Sequence, residues 1–166
     1  ILTKDLSYLI GTMLDLDIPK NLPKGSVVYL QNIVTDLILG LDRFDLIEKF
    51  YYVLKSKGYR CGLITLNPVM LDTYIKNSKL KNDENMIICF NINNIGFNVF
   101  PRLVEVENFI KKEKKYKLMG MSVFASGGAK IQESINYIKS LKLDYVVFGS
   151  SKINNIQKNI QSFKTL

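Results

Sequence analysis

Hydrophobic and polar positions divide most of the chain into two alternating kinds of segment. Short apolar runs such as residues 118–124 and 145–148 are each followed by a turn of small residues, and then by a segment whose isoleucines recur every three or four positions. This succession predicts strand, loop and helix in repeated order, which is typical of parallel α/β units. Because the apolar runs lack polar alternation, we expect helices to cover the sheet.

The same alternation of predicted strands and helices extends along the whole chain. The five predicted strands cover residues 26–30, 59–66, 86–92, 118–124 and 145–148. Predicted helices cover residues 3–16, 45–57, 68–76, 102–115 and 131–141, and a last one begins at residue 153. Residues 33–41 are ambiguous and form either a loop or a short helical turn.

Composition narrows the possible chemistry. The chain has 166 residues, 47% hydrophobic and 23% charged, which indicates one folded, soluble globular domain over residues 1–166. It has no histidine and two cysteines, so the commonest general base is missing and we expect no metal site. Cys61 and Cys89 fall in predicted strands and are interpreted as buried free thiols of a reducing compartment. No apolar stretch approaches the ~20 residues of a membrane span, so we expect a cytoplasmic protein.

The chain is basic, with a formal net charge of +8. Its densest basic run, Lys111 to Lys117, could contact nucleic acid or an acidic membrane. The same run also suits the solvated end of a helix, where lysines complement the helix dipole. Because no recognised nucleic-acid-binding motif accompanies it, we do not expect nucleic acid as a partner.

Two turns of small residues follow the last two predicted strands. These are Ala125 to Gly128 and Gly149 to Ser151. In parallel α/β units, ligands bind where loops leave the carboxyl ends of strands. Each turn also precedes a helix start, where backbone N–H groups favour an anion. The sequence therefore predicts a phosphate-bearing ligand beside both turns.

Four motifs resemble the aldo-keto reductase family. Val27 to Asn32 resembles its fourth strand and Gly58 to Asn67 its fifth. Met121 to Gly127 resembles the seventh strand with its exit loop, and Val147 to Asn159 the eighth strand with the following helix. The resemblance begins at about the family's third helix. It implies parallel strand-helix units that form roughly the second half of a TIM-type (β/α)8 barrel. The alternative is an open five-stranded doubly wound sheet.

The resemblance also implies a cofactor, NADP(H), at the carboxyl rim. The loops after its last two strands would hold the cofactor's phosphates, and Thr65 and Asn67 would lie near the nicotinamide. The family's arginine at the 2′-phosphate has no clear counterpart here, since the nearby position is Asn155, and Lys152 could substitute for it. The implied cofactor-binding residues are Thr65, Asn67, Phe124, Ala125, Ser126, Gly127, Gly149, Ser150, Ser151, Lys152, Gln157 and Asn159.

Departures from the family pattern weaken the case for catalysis. The family's catalytic Asp, Tyr and Lys belong to the first half of its barrel. Its active-site histidine falls on Gln31, which cannot carry a proton near neutral pH, and its nicotinamide-binding glutamine falls near Ile87.

These departures leave three hypotheses open. The first is a pseudoenzyme, a scaffold or regulatory subunit that retains nucleotide binding. In it, a protein partner or the missing N-terminal half covers the open side of the barrel. The second is the C-terminal part of an active NADPH-dependent carbonyl oxidoreductase, whose acid would lie upstream. The third is a binder of anionic surfaces through Lys111 to Lys117.

Overall fold

The structure, a computed structural model, describes residues 18–164, without the side chain of Lys164. A parallel sheet of five strands alternates with helices over this range, in the strand order β1-β2-β3-β4-β5. The parallel α/β class predicted from the sequence is therefore confirmed. The helix predicted over residues 3–16 lies outside the described residues.

The elements follow one another with short connections. The strands are β1 (Val27–Leu30), β2 (Arg60–Thr65), β3 (Ile87–Asn91), β4 (Lys117–Met121) and β5 (Tyr145–Val146). The helices are α1 (Asn32–Gly40), α2 (Phe44–Ser56), α3 (Pro68–Lys76), α4 (Leu103–Lys111), α5 (Ile131–Ser140) and α6 (Ile153–Lys164). Short 3-10 turns occupy Lys79–Asn82 and Ala125–Gly127. No helix within the described range has the length and apolar character needed to cross a bilayer.

Each strand pairs in parallel with the next strand along the chain. Tyr29 lies opposite Gly62, and Met119 lies opposite Tyr145. Because all strands run the same way, their carboxyl ends meet at one edge of the sheet. The loops that follow the strands therefore gather at that edge, which we call the carboxyl rim.

One face of the sheet packs against the helices. Alternate strand residues such as Leu63, Phe90 and Leu118 join the hydrophobic core with buried helix residues such as Leu54 and Phe109. The rings of Phe90 and Phe109 meet edge to face, with centroids 5.4 Å apart. This burial explains why the strands are continuous apolar runs in the sequence.

The opposite face, which we call the inner face, is crossed by one tyrosine. A Cβ at Gly62 would lie 2.3 Å from Cδ1 of Tyr29, so the glycine makes room for the ring. The Tyr29 hydroxyl then contacts the sulfur of Met119 on β4, at 3.7 Å. Three inter-strand spacings, roughly 14 Å in a flat sheet, separate β1 from β4. Contact across that span indicates that the sheet curls towards its inner face.

Four elements differ from the sequence prediction by more than one residue. Of the ambiguous residues 33–41, residues 33–40 belong to a helix, α1. The strand predicted over 118–124 ends at Met121, because Ser122 takes a left-handed backbone with φ of 57°. The helix predicted over 102–115 ends at Lys111, where the Lys114 ammonium folds back onto the carbonyls of Phe109 and Lys112. The last strand pairs only over Tyr145–Val146 instead of 145–148.

Both cysteines are buried and unpaired, as predicted. Cys61 packs in the core with the helices. Burial raises the pKa of the Cys89 thiol to about 12, so this group stays protonated near neutral pH.

Two hydrogen-bonded networks close the amino end of the sheet, where helices return to the start of the next strand. In the first, the Tyr51 hydroxyl donates to Asp83 at 2.6 Å and accepts from the Lys55 ammonium at 2.7 Å. Burial of the Tyr51 hydroxyl and its bond to Asp83 raise the pKa of this tyrosine. An Asp-Tyr-Lys group therefore exists in this chain, but it ties α2 to the segment before β3.

The second network surrounds Asp72, whose residue is 5% exposed. The Tyr116 hydroxyl and the Lys76 ammonium each donate to one of its oxygens, both at 2.6 Å. Burial and the bond to Asp72 raise the pKa of Tyr116 far above its ordinary value. The network joins α3 to the residue that precedes β4.

Candidate functional site

The loops after β4 and β5 lie side by side at the carboxyl rim. Phe124 in the first loop and Phe148 after β5 have ring centroids 5.7 Å apart. Phe163 of α6 packs against both rings, at 6.2 and 5.8 Å. This aromatic cluster holds together the two segments that the sequence singled out. Ser126 and Ser150 therefore lie at the same end of the sheet.

The loop after β4 has an unusual backbone. Ala125, Ser126 and Gly127 have successive φ angles of 48°, 54° and 90°. Non-glycine residues seldom adopt this left-handed region, and such conformations cluster at functional sites. Ser126 and Gly127 are exposed, whereas Ala125 is buried. However, the N–H of Gly127 donates to the carbonyl of Phe124, so it is not available to a phosphate.

The loop after β5 leads into α6 with an open backbone. A Cβ at Gly149 would meet nothing within 4 Å. The Ser150 hydroxyl accepts the N–H of Lys152 at 3.2 Å, which shapes the turn before the helix. Ser151, Lys152 and Gln157 are exposed, and Asn159 is buried.

The starts of α5 and α6 differ in charge. Glu133 lies in the first turn of α5 and pairs with Lys130 at 3.0 Å. The first turn of α6 carries no acidic residue, and the exposed Lys152 directly precedes it. A helix start favours negative charge. At α5 the carboxylate of the helix itself supplies that charge, whereas the start of α6 is open to an external anion.

Thr65 and Asn67, predicted to lie near a nicotinamide, serve other contacts. Thr65 is fully buried, and its hydroxyl donates to the Asp36 carboxylate at 2.5 Å. The same hydroxyl oxygen accepts the N–H of Asn67 at 2.9 Å. The Asn67 side chain caps α3 by accepting the N–H of Met70 at 3.1 Å. Asn67 remains half-buried at the rim, whereas Thr65 does not face solvent.

Sequence reasoning missed Asp36, which is central to this part of the rim. Its second carboxylate oxygen accepts the N–H of Leu66 at 2.9 Å. Asp36 also lines a cleft of about 780 Å³ between α1, the start of α3 and the loop after β3. The available signal was a single acid in the apolar segment 33–41, which becomes informative only once that segment is known to be a helix.

Asparagines shape the wall of this cleft. Asn93 is fully buried and donates to the carbonyl of Phe97 at 2.8 Å, while its oxygen accepts the N–H of Phe97. Asn91 donates to the carbonyl of Asn98 at 2.9 Å. These side chains hold the loop after β3 in place.

Gln31 and Ile87 occupy the two positions where this chain departs from the reductase pattern. Gln31 is exposed just before α1, and its side chain makes no capping bond to the helix. Its backbone carbonyl accepts the N–H and the hydroxyl of Thr35. Ile87 begins β3 and is buried. Neither side chain can exchange a proton with a substrate.

Comparison with known proteins identifies no relative: no family model, no curated protein and no solved structure matches this chain. The resemblance to aldo-keto reductases therefore rests on the sequence motifs alone. Within residues 18–164, no group of three or more His, Cys, Asp or Glu side chains could hold a metal ion.

Proposed function

We propose that the chain forms roughly the second half of an aldo-keto-reductase-like barrel and acts as a nucleotide-binding scaffold or regulatory subunit. The strand order supports the barrel, because it follows the chain without the reversal found in doubly wound sheets. The contact between Tyr29 and Met119 supports it too, since a curled sheet brings side chains of β1 and β4 towards each other on one face.

The start of α6 carries the nucleotide proposal. An open glycine precedes it, its first turn lacks an acid, and Lys152 supplies a positive charge. These features suit a phosphate group, and NADP(H) is the phosphate-bearing cofactor that the family resemblance implies. Ser151 and Gln157 are exposed beside them. The loop after β4 would contribute exposed Ser126, while its glycine N–H groups remain bonded internally.

Scaffolding fits the residues better than reduction of a carbonyl. Gln31 replaces the proton-carrying histidine of the resemblance. The Asp-Tyr-Lys group of Tyr51, Lys55 and Asp83 lies at the amino end of the sheet, and the raised pKa of its tyrosine disfavours the phenolate. A partner protein or further barrel strands would cover the β5 edge of the inner face, where Tyr145 and Val147 are 42% and 44% exposed. The middle of that face, at Ile87 and Cys89, is already buried.

Titration of the intact protein with NADPH, followed by nucleotide fluorescence, tests the proposal. We expect saturable binding that Lys152→Gln weakens by about tenfold, because a charge-assisted bond to phosphate is lost. Lys130→Gln is the matched control: it removes the same charge beside α5 and should leave the affinity nearly unchanged. Absence of binding, or equal weakening by both variants, would contradict a phosphate site at α6.

The same preparation distinguishes the two readings of the reductase resemblance. A scaffold should bind NADPH without oxidising it in the presence of aldehydes or ketones. Carbonyl-dependent loss of NADPH absorbance would instead favour the C-terminal part of an active oxidoreductase.

A further inference from the structure

The cleft beside α1 contrasts with the charge of the whole protein. The chain carries a net charge of +8, yet among the described residues Asp36 is the one ionisable group that lines this cleft. Its other polar lining residues are amides: Asn32, Asn67 and Asn98. A carboxylate with no lysine or arginine beside it in the described lining favours a cation over an anion as its ligand.

The carboxylate of Asp36 is held rigidly. One oxygen accepts from the Thr65 hydroxyl at 2.5 Å and the other from the Leu66 N–H at 2.9 Å. An ionised carboxylate offers about four lone-pair sites, so two donors leave capacity for a ligand. The carboxylate is therefore positioned in advance and need not reorganise when a cation arrives.

The remaining walls are apolar and partly open to solvent. Phe100, which is 53% exposed, and Leu66, which is 39% exposed, line the cleft together with Leu39, Met70 and Val99. A cleft lined by an aromatic ring as well as a carboxylate suits an organic cation, because the ring attracts the charge while apolar walls cover the ligand body. A metal ion fits less well, because one carboxylate among amides does not supply the several charged oxygens that it prefers.

We propose that this cleft binds a small organic cation, an ammonium or amidinium group on an apolar body, with its charge on Asp36 and its body against Phe100. The cation would donate a charge-assisted hydrogen bond to the carboxylate, and the amides around it would accept its remaining N–H groups. This site is separate from the phosphate site at α6, and it does not depend on the proposed nucleotide function.

The test uses the intact protein and two matched probe pairs. Phenethylamine and benzamidine carry the cation, whereas 2-phenylethanol and benzamide are their uncharged counterparts. Binding is followed by amide chemical shifts, with the Leu66 N–H as a direct reporter because it donates to Asp36. We expect saturable shifts with the cations, weakening as salt is raised, and affinities at least about tenfold lower for the neutral probes.

Three variants assign the effect to this site. Asp36→Asn should weaken binding of the cations about tenfold or more, while its amide spectrum confirms that the fold persists. Asp42→Asn is the control for charge: Asp42 accepts the Tyr74 hydroxyl outside the cleft lining, so its loss should change little. Phe100→Leu should weaken the cations more than the neutral probes, because it removes the ring.

The proposal is overturned by any of three results. These are no saturable binding of either cation, equal affinity for charged and neutral probes, or equal losses in Asp36→Asn and Asp42→Asn. If Asp36→Asn fails to fold, the decision rests on Phe100→Leu, whose half-exposed position tolerates the change. Equal weakening of charged and neutral probes by that variant would then overturn the proposal.

Discussion

The two ends of the sheet use polar residues in opposite ways. At the amino end, Asp72 and Asp83 each bond to a tyrosine and a lysine, and Asp72 is nearly inaccessible. At the carboxyl rim, Asp36 faces a cleft and Lys152 is exposed at a helix start. The amino end therefore uses its charges to join helices to strands, whereas the rim leaves charges accessible to ligands. This division matches parallel α/β proteins, whose ligands bind at the carboxyl ends of strands.

The largest loss of stability is expected at the amino end, at Asp72. Replacing it with alanine leaves the buried Tyr116 hydroxyl without its acceptor and frees Lys76. The free energy of unfolding should fall by about 3 kcal/mol. Urea denaturation measures this loss. Asp72→Asn retains an acceptor for the tyrosine and should cost less. A loss below about 1 kcal/mol for the alanine variant would mean that this network contributes little to stability.

A smaller effect is expected at Tyr51. Tyr51→Phe removes the hydroxyl that bridges Asp83 and Lys55, and should lower the free energy of unfolding by about 1 kcal/mol. NADPH affinity should remain that of the unaltered protein, because the group lies at the opposite end from α6. Chemical denaturation measures the change in the free energy of unfolding, and NADPH titration measures the affinity. A drop in NADPH affinity without loss of stability would give this Asp-Tyr-Lys group a functional role.

The smallest expected effect is a pH dependence at Lys114. Burial lowers the pKa of its ammonium to about 8; nearby Asp72 opposes this shift, and Lys76 and Lys112 add to it. Below pH 8 both the folded and unfolded chains bind the proton, so the cost of burial is fully present. As pH rises from 8 towards about 10.4, the folded chain releases its proton first and stability increases.

Lys114→Gln isolates this contribution from other titrating groups. The stability of the unaltered protein relative to the variant should rise between pH 8 and about 10.4, by roughly 0.5 kcal/mol after allowing for solvent screening. Melting temperatures at matched pH values give this difference. A relative stability that stays level or falls across that window would show that the folded state does not disfavour the ammonium.

The alternation of elements could be predicted because it depends on local patterns. Continuous apolar runs mark strands covered by helices, and Asn67-Pro68 marks a helix start that the structure places at Pro68. The pairing of the loops after β4 and β5 also followed, because parallel strands place their exits at one edge. The sequence therefore predicts well those features that depend on hydrophobic periodicity and on the parallel direction of the strands.

Sequence reasoning missed features that depend on a distant partner or on local backbone and side-chain geometry. Thr65 looked available to a ligand, but its hydroxyl bonds to Asp36, which lies 29 residues away in the chain. The end of β4 depends on the left-handed Ser122, a residue type that gives no local warning. Lys114 resembled a solvated lysine, yet its ammonium lies 4.1 Å from the centre of the Phe109 ring. The first case depends on a tertiary contact, and the other two depend on local geometry that the residue types do not reveal.

The most direct test of the different roles of the two ends is amide chemical-shift mapping while the intact protein is titrated with NADPH. The account predicts shifts around Gly149, Ser151 and Lys152 at the start of α6, and none around Tyr51, Asp72 or Tyr116. Shifts concentrated at the amino-end networks, with the start of α6 unchanged, would contradict it.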